Sequence, residues 1–277
     1  MSRSTRSALI TAAVAATALL LGGCASTDDA PAEGGDGESL GTIKVGALQT
    51  PAGDILQHVA ENGAGELGLT IEFVPFTDYN TPNTALADGS IDANLFQNTT
   101  FLENFNANTG SDLISVGEAY LPSAAFYSDK VTSLDELDEG ATVAIPNDPT
   151  NEGRALKLLA AEGVIEVEDD VTDLTGITAN PKDLEFQEIE NATLPQAVAD
   201  VDAAFVTIAF ALPAGLTSDD AILIEGEDSD YYNVLATRAE LEDDPRIVAL
   251  YELLTSQEVA DYENTTWGGL VVPVVND

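Results

Sequence analysis

The sequence has one cysteine, one histidine and few basic residues, and these shortages exclude several classes of site and partner. One cysteine cannot form an intramolecular disulfide, so the folded state needs a conventional hydrophobic core. One histidine and one cysteine cannot build a zinc site of the Cys/His type. Only 9 Lys and Arg residues oppose 49 Asp and Glu residues. This charge repels phosphate backbones, so nucleic-acid binding is disfavoured.

Recognisable catalytic motifs are absent as well. The sequence has no Gly-x-Ser-x-Gly elbow, no Walker loop and no Gly-x-Gly-x-x-Gly after a strand. Acidic pairs such as Asp169-Asp170 are expected by chance among so many carboxylates. We therefore predict a protein that is not an enzyme and that binds no cofactor or metal.

The amino terminus has the pattern of a bacterial lipoprotein signal. Arg3 and Arg6 precede an apolar run at residues 8–21, and small residues lead to Cys24. Such a run is too short for a permanent transmembrane helix. The pattern predicts removal of residues 1–23 and acylation of Cys24, for example with palmitate. Residues 24–42 are acidic and almost without apolar side chains, which predicts a disordered linker between the lipid anchor and a folded extracytoplasmic part.

From residue 43 onward, short apolar runs alternate with helical patterns. Strands are predicted at 43–47, 70–75, 93–96, 113–116, 124–127, 142–145 and 203–206, with helices near 55–60, 99–107, 152–162 and 194–198. This alternation indicates an α/β fold with parallel sheets covered on both faces. Binding sites in such folds lie at the carboxyl ends of strands or in the crevice between lobes.

One candidate site segment runs from the end of the predicted strand at Ile145 to Arg154. Prolines and asparagine predict a turn, after which Thr150 or Asn151 would cap a helix. Arg154 would then lie in the first helical turn, where a cation opposes the helix dipole. Its placement there favours a role in holding an anionic group of a ligand.

Tyr79 and Phe96 form a second candidate site because each is predicted at a junction between a strand and a loop. Polar turn residues, including asparagines, surround both aromatic side chains. Aromatic residues occur more often in cores than in ligand sites. Their position beside strand ends nevertheless favours a binding cleft.

Together these segments resemble the NlpA lipoprotein family, the methionine-binding lipoproteins that serve ABC importers. The resemblance rests on motifs in order along the chain: Asp-Tyr-x-x-Pro-Asn-x-Ala-Leu at 78–86, Gly-x-Ile-Asp-Ala-Asn-x-Phe-Gln at 89–97, Tyr-Ser at 127–128, Ser-Leu-Asp-Glu-Leu at 133–137, Pro-Asn-Asp-Pro-Thr-Asn-x-Gly-Arg at 146–154, Asn-Pro-Lys at 180–182 and Tyr-x-Asn at 231–233.

This resemblance implies a type II periplasmic-binding-protein fold, in which two α/β lobes joined by two crossover strands enclose a ligand cleft. The crossings are expected near 119–122 and 228–231. Lobe I would comprise 43–120 plus 230–277, and lobe II would comprise 121–229. The family also implies a monomer that delivers an amino acid, methionine in the first place, to an ABC permease and ATPase complex.

The resemblance further implies roles for individual residues. Arg154 would hold the ligand α-carboxylate through a two-donor fork, and Asn151 and Asn233 would orient its carboxylate and ammonium groups. The aromatic side chains of Tyr79, Phe96 and Phe101 would enclose the ligand side chain.

At three positions the sequence departs from the methionine binders. Asn98 replaces a usual His, Thr207 a usual Asn and Phe101 a usual Tyr. The alternatives left open are a binding lipoprotein for another amino acid or a short peptide, an enzyme acting in a two-lobed cleft, and a surface interaction lipoprotein without a transport role.

Overall fold

The structure is a computed structural model and describes residues 39–276. The predicted signal peptide, Cys24 and most of the predicted linker lie outside the described residues. Strand β1 begins at Gly41, two residues before residue 43, where the sequence predicted the folded part to start. None of the helices within 39–276 has the length and apolar character that crossing a membrane requires.

The elements follow one another along the described chain as strands and helices of modest length. The strands are β1 (Gly41–Leu48), β2 (Leu69–Phe76), β3 (Ala93–Asn98), β4 (Leu113–Pro122), β5 (Ala124–Tyr127), β6 (Thr142–Pro146), β7 (Glu166–Val167), β8 (Ile177–Ala179), β9 (Glu185–Ile189), β10 (Ala203–Thr207), β11 (Ala221–Ile224), β12 (Asn233–Arg238) and β13 (Val271–Pro273). The α-helices are α1 (Asp54–Asn62), α2 (Pro82–Ala87), α3 (Thr99–Thr109), α4 (Pro149–Ala161), α5 (Leu194–Ala197), α6 (Ile208–Ala211), α7 (Pro245–Leu254) and α8 (Gln257–Trp267).

Two larger sheets organise these strands. The first sheet has the order β13-β4-β12-β3-β1-β2, and the second has the order β11-β5-β10-β6-β9. Strands β1, β2 and β3 are parallel, as are β6, β9 and β10. The predicted all-parallel pairing is wrong for the rest, because β12 runs antiparallel to β3 and β4, and β5 runs antiparallel to β10 and β11.

The chain passes between the two sheets twice. It leaves the first sheet at the end of β4, Pro122, and enters the second at the start of β5, Ala124. It returns through residues 225–232, which connect β11 to β12. These two connections, which we call the first and second crossover segments, run side by side near the candidate site described below.

Each sheet has its own hydrophobic core, which accounts for the two-lobed α/β architecture. Val45 in β1 and Leu250 in α7 are fully buried in the core of the first sheet. In the second sheet, the rings of Phe126 and Phe205 meet edge to face at 5.4 Å and pack with Leu156 of α4. Burial of side chains of this size contributes about 1.5–3 kcal/mol each.

Several helices begin at side chains that accept a hydrogen bond from the first turn. Asn98 caps α3, Asp148 caps α4, and Ser256 caps α8. Gly110 follows the last residue of helix α3 and caps its carboxyl end. Its φ of 72° lies in the left-handed region, which favours glycine. The cap of α3, Asn98, lines the candidate site described below, and the cap of α4, Asp148, accepts a hydrogen bond from Asn151, which also lines it.

Candidate functional site

All eight residues predicted to bind a ligand line one cavity between the two sheets. The cavity contains about 290 Å³ of space not occupied by protein atoms, counting its mouth. Gln97 and Pro122 also line it, and neither was predicted. The predicted residues in its wall are Tyr79, Phe96, Asn98, Phe101, Asn151, Arg154, Thr207 and Asn233.

The first sheet supplies its part of the wall through the end of β3 and the start of β12. These two strands are antiparallel, so the last residue of one, Asn98, pairs with the first residue of the other, Asn233. Asn233 also pairs with Tyr120 of β4. Phe96 lies inside β3, two residues before its end, because the strand extends further than the sequence predicted.

The second sheet supplies Thr207 at the end of β10 and two residues of α4. Asp148 caps α4, so the prediction that Thr150 or Asn151 would be the cap is wrong. Pro149 follows at the first helical position, a combination that favours a helix start. Arg154 therefore lies in the second turn of α4, and the predicted conflict with the helix dipole does not apply.

Arg154 is 3% exposed, and much of its hydrogen-bonding capacity is taken up within the protein. Its Nε donates to Glu225 Oε1 at 2.9 Å, and its Nη2 donates to Glu225 Oε2 and to the carbonyl oxygen of Pro122. The guanidinium carbon lies 4.7 Å from the ring centroid of Tyr231. The donor fork predicted for a ligand carboxylate is thus already occupied by Glu225.

Asn151 and Asn233 each use their amide nitrogen within the protein. Asn151 Nδ2 donates to both oxygens of Asp148, at 3.1 and 3.0 Å, and Asn233 Nδ2 donates to the Tyr120 hydroxyl at 3.1 Å. A carboxylate can only accept here, which fixes the orientation of the Asn151 amide. Among the described residues neither Oδ1 has a hydrogen-bond donor, so both oxygens are available to a ligand.

Aromatic rings form the apolar side of the cavity. The ring centroids of Tyr79, Phe96 and Phe101 are 5.8 to 6.1 Å apart. Phe210 of α6 lies 4.8 Å from Tyr79 and was not predicted. Separations of 4.5–7 Å are typical of favourable aromatic pairs, which add about 0.5–1.5 kcal/mol beyond burial.

Two hydrogen bonds join the sides of the cleft. The hydroxyl of Tyr79, which follows β2, lies 3.1 Å from Thr207 Oγ1 at the end of β10. Asn104 Nδ2 of α3 donates to Thr150 Oγ1 of α4 at 2.9 Å. Burial raises the pKa of Tyr79 to about 12, so its hydroxyl stays protonated at neutral pH. The structure therefore shows the two sides in contact.

Three buried amides near Phe96, one of them the cavity-lining Gln97, bond to one another. Asn83 and Gln97 exchange hydrogen bonds of 2.6 Å, and Asn94 donates to Asn83 and accepts from Gln97. All three side chains are at most 2% exposed. This amide triad holds the chain on either side of Phe96 and connects β3 to α2.

Two buried carboxylates lie outside the cavity wall. Burial, with Glu188 nearby, raises the pKa of Glu152 to about 7. Burial alone raises the pKa of Glu263 to about 8. Over residues 39–276, no His, Cys, Asp and Glu side chains cluster in a way that could hold a metal ion.

His58 also lies away from the cavity. Its ring stacks on Tyr262 at 4.0 Å and its Nδ1 lies 3.2 Å from Asn62 Nδ2, so it is a packed residue of α1 rather than a freely solvated one.

The cavity combines one partly engaged cation, two open amide oxygens and an aromatic enclosure.

Known proteins share both this sequence and this fold. The D-methionine-binding lipoprotein MetQ of Salmonella typhi is 38% identical over 257 residues, which cover 91% of this chain and 92% of MetQ. A periplasmic substrate-binding protein of an ABC transporter from Coxiella burnetii superposes with a TM-score of 0.81 at 37% identity, over 84% of this chain and all of that chain.

A nutrient-binding protein from Burkholderia cenocepacia, whose structure contains methionine, has a TM-score of 0.79 at 36% identity, over 83% of this chain and 99% of that chain. The sequence profile described as NlpA lipoprotein matches residues 43–275, which is the two-sheet region except for the first two residues of β1. The match therefore extends over the complete site and both lobes. The chain belongs to the NlpA lipoprotein family.

Proposed function

We propose that this protein is a lipid-anchored extracytoplasmic solute-binding protein of an ABC importer. It captures methionine, or a close apolar amino acid or derivative, and presents it to the permease. In this proposal it is not an enzyme. Residues 1–23 are the signal peptide, the acylated Cys24 is the anchor, and the acidic residues between Cys24 and β1 hold the folded part clear of the membrane.

The observation that carries this proposal is the chemistry of the cavity. A free amino acid offers one carboxylate, one ammonium group and one side chain. Arg154 Nη1 is a donor for the carboxylate, and the open oxygens of Asn151 and Asn233 are acceptors for the ammonium group. Such a set favours a zwitterion.

The apolar side of the cavity favours a thioether. Contacts between sulfur and an aromatic ring add about 0.3–1.5 kcal/mol each, and Tyr79, Phe96 and Phe101 offer three rings. The names of the Salmonella relative and the methionine in the Burkholderia structure support the same ligand. Asn98 and Thr207 are two of the positions at which the sequence departs from the family pattern, and both line the cavity.

Ligand capture in this proposal requires the cleft to open and close. Lobe I (43–120 plus 230–277) and lobe II (121–229) would move about the two crossover segments. The Tyr79–Thr207 and Asn104–Thr150 hydrogen bonds belong to the closed form. Because a ligand can shift this equilibrium only by differential affinity, it must contact both lobes in the closed form.

The first experiment is mass spectrometry of any small molecule that co-purifies with residues 39–276, followed by a thermal-shift screen of L- and D-amino acids. A ligand at a hundred times its dissociation constant adds about 2.7 kcal/mol of stability. We expect methionine to give the largest shift. The proposal is wrong if no amino acid changes the unfolding temperature.

A short peptide is the second candidate, because a larger hollow adjoins the cavity. This hollow contains about 540 Å³, shares Tyr79 and Phe101 with the cavity, and is otherwise lined mainly by polar residues of α3 and of the start of α4. A ligand longer than one residue would extend into it. Tighter binding of a methionine-containing dipeptide than of methionine would favour this candidate.

A further inference from the structure

Arg154 is linked to both crossover segments. Its Nη2 donates to the carbonyl oxygen of Pro122 in the first segment at 2.9 Å. Its Nε and Nη2 donate to Glu225 in the second segment, and the ring of Tyr231 in the same segment lies against the guanidinium. The cation of the candidate site is therefore held at the place where the two lobes are joined.

Glu225 is itself firmly held. Its side chain is 8% exposed. Oε2 accepts from the backbone nitrogen of Ala124 at 3.2 Å, and Oε1 accepts from the Ser229 hydroxyl at 2.9 Å. The backbone nitrogen of Glu225 also donates to the carbonyl oxygen of Ala124 at 2.9 Å. Both carboxylate oxygens thus have two partners each, counting Arg154.

These contacts limit what Arg154 can offer to a ligand. An arginine side chain has five N–H donors, and three of those on Arg154 are used by Glu225 and Pro122. Only Nη1 has no acceptor among residues 39–276. The charge of the guanidinium is also balanced by the adjacent Glu225 carboxylate.

We propose that Glu225 is a positioning and specificity-determining residue of the candidate site. It orients Arg154 so that Nη1 is left for the ligand carboxylate. It also cancels the charge of Arg154, so the site selects a zwitterion over an anion that lacks the ammonium group. This inference rests on the function proposed above.

A different role would be that of an internal competitor, in which Glu225 occupies Arg154 only until a ligand carboxylate displaces it. Displacement would leave a buried carboxylate without its cation. It would also break the hydrogen bonds from Ala124 and Ser229 or strain them. The number of these contacts favours a permanent partner, and the two roles predict different binding data.

The test compares two ligands by calorimetry in the wild type and in three variants. The ligands are methionine, in each enantiomer, and 4-(methylthio)butanoate, which has the same carboxylate and thioether but no ammonium group. Glu225→Gln removes the charge, Glu225→Asp keeps the charge and shortens the side chain, and Glu227→Gln removes an exposed charge from the same segment as a control.

In the wild type methionine should bind more tightly than the butanoate. In Glu225→Gln this preference should fall by about tenfold or more, because the uncompensated guanidinium attracts the anion. Glu225→Asp should weaken both ligands and leave their ratio within about threefold of the wild type, since its charge remains. Glu227→Gln should change neither affinity nor ratio.

An unchanged ratio in Glu225→Gln would overturn the inference, as would an equal gain in affinity for both ligands, which is the result of an internal competitor. If thermal unfolding shows that Glu225→Gln does not fold, the test rests on Glu225→Asp. An unchanged affinity of Glu225→Asp for methionine would then overturn the positioning role. If wild-type protein binds neither enantiomer of methionine, the proposed function fails first. If the wild type binds methionine but the ratio of the two affinities is unchanged in Glu225→Gln, only the role of Glu225 is refuted and the proposed function stands.

Discussion

Replacing Arg154 by alanine removes a buried cation and leaves the Glu225 carboxylate buried without its partner. The two side chains are 3% and 8% exposed, so solvent can compensate little for the loss. Breaking a buried ion pair from one side costs about 3–5 kcal/mol. We therefore expect Arg154→Ala to lower the free energy of unfolding by about this amount and to abolish stabilisation by methionine.

A double variant separates stability from binding. Arg154→Met combined with Glu225→Leu removes both charges and fills the same region with apolar side chains. Such replacements of a whole buried pair are often neutral or better for stability. The double variant should recover part of the lost free energy of unfolding, because it removes the unpaired charge but leaves the Pro122 carbonyl and the Ala124 N–H without these side-chain partners. It should still fail to bind methionine because no cation remains for the carboxylate.

Urea unfolding with and without methionine measures both effects at once. At a hundred times the dissociation constant found for the wild type, methionine should stabilise the wild type by about 2.7 kcal/mol and the two variants not at all. Full methionine stabilisation in Arg154→Ala would remove Arg154 from the site. A double variant as unstable as the single one would show that the unpaired charge is not the cause.

Three further predictions concern the cleft, the amide triad and a buried carboxylate. Thr207→Val removes the hydroxyl that meets Tyr79, so stopped-flow traces should show methionine dissociating about fivefold faster, the size of one net hydrogen bond. Gln97→Leu leaves two buried amides with unpaired groups, so urea unfolding should show a loss of about 1–3 kcal/mol. The pKa of Glu263 is raised from 4.5 to about 8 in the folded state. Between these two values the folded protein keeps a proton that the unfolded chain loses, so the free energy of unfolding falls as the pH rises from 4.5 to about 8. Glu263→Gln removes this fall and should gain about 5 kcal/mol relative to the wild type between pH 4.5 and 8.

Each of these predictions has a clear contrary result. Unchanged dissociation in Thr207→Val would mean that its contact with Tyr79 does not hold the cleft closed. Wild-type stability in Gln97→Leu would mean that the amide triad is dispensable. For Glu263, the exposed Glu252→Gln is the control, and parallel pH profiles of all three proteins would contradict a buried neutral carboxylic acid.

Strand ends made part of the candidate site predictable, whereas contacts between residues distant in the sequence made other parts unpredictable. Tyr79, Phe96 and Arg154 could be proposed from the residues themselves, because they lie beside predicted strand ends and turns, whereas the resemblance to the NlpA family supplied the other five: Asn98, Phe101, Asn151, Thr207 and Asn233. Phe210 could not be found this way, since its contact with Tyr79 depends on how the second sheet meets the first. Glu225 is one of 49 acidic residues, and nothing in its sequence neighbourhood distinguishes it.

The sequence also contained information that the predictions did not use. Asp148 followed by Pro149 is a helix-start pattern, and it would have placed Arg154 beyond the first turn. Every predicted strand and helix occurs in the structure, but several elements were not predicted, namely α2, β7, β8, β9, α6, β11 and all those that follow β11. The relative direction of neighbouring strands was predicted least well. An apolar run does not reveal whether the strand beside it is parallel or antiparallel, as β12, which is antiparallel to β3, shows.

The central claim is that the cavity around Arg154 binds a free amino acid, and isothermal titration of the protein with L- and D-methionine tests it most directly. The account predicts saturable binding of one methionine per chain, with no detectable binding to Arg154→Ala under the same conditions. Absence of binding for both enantiomers, or equal binding by wild type and Arg154→Ala, would contradict it.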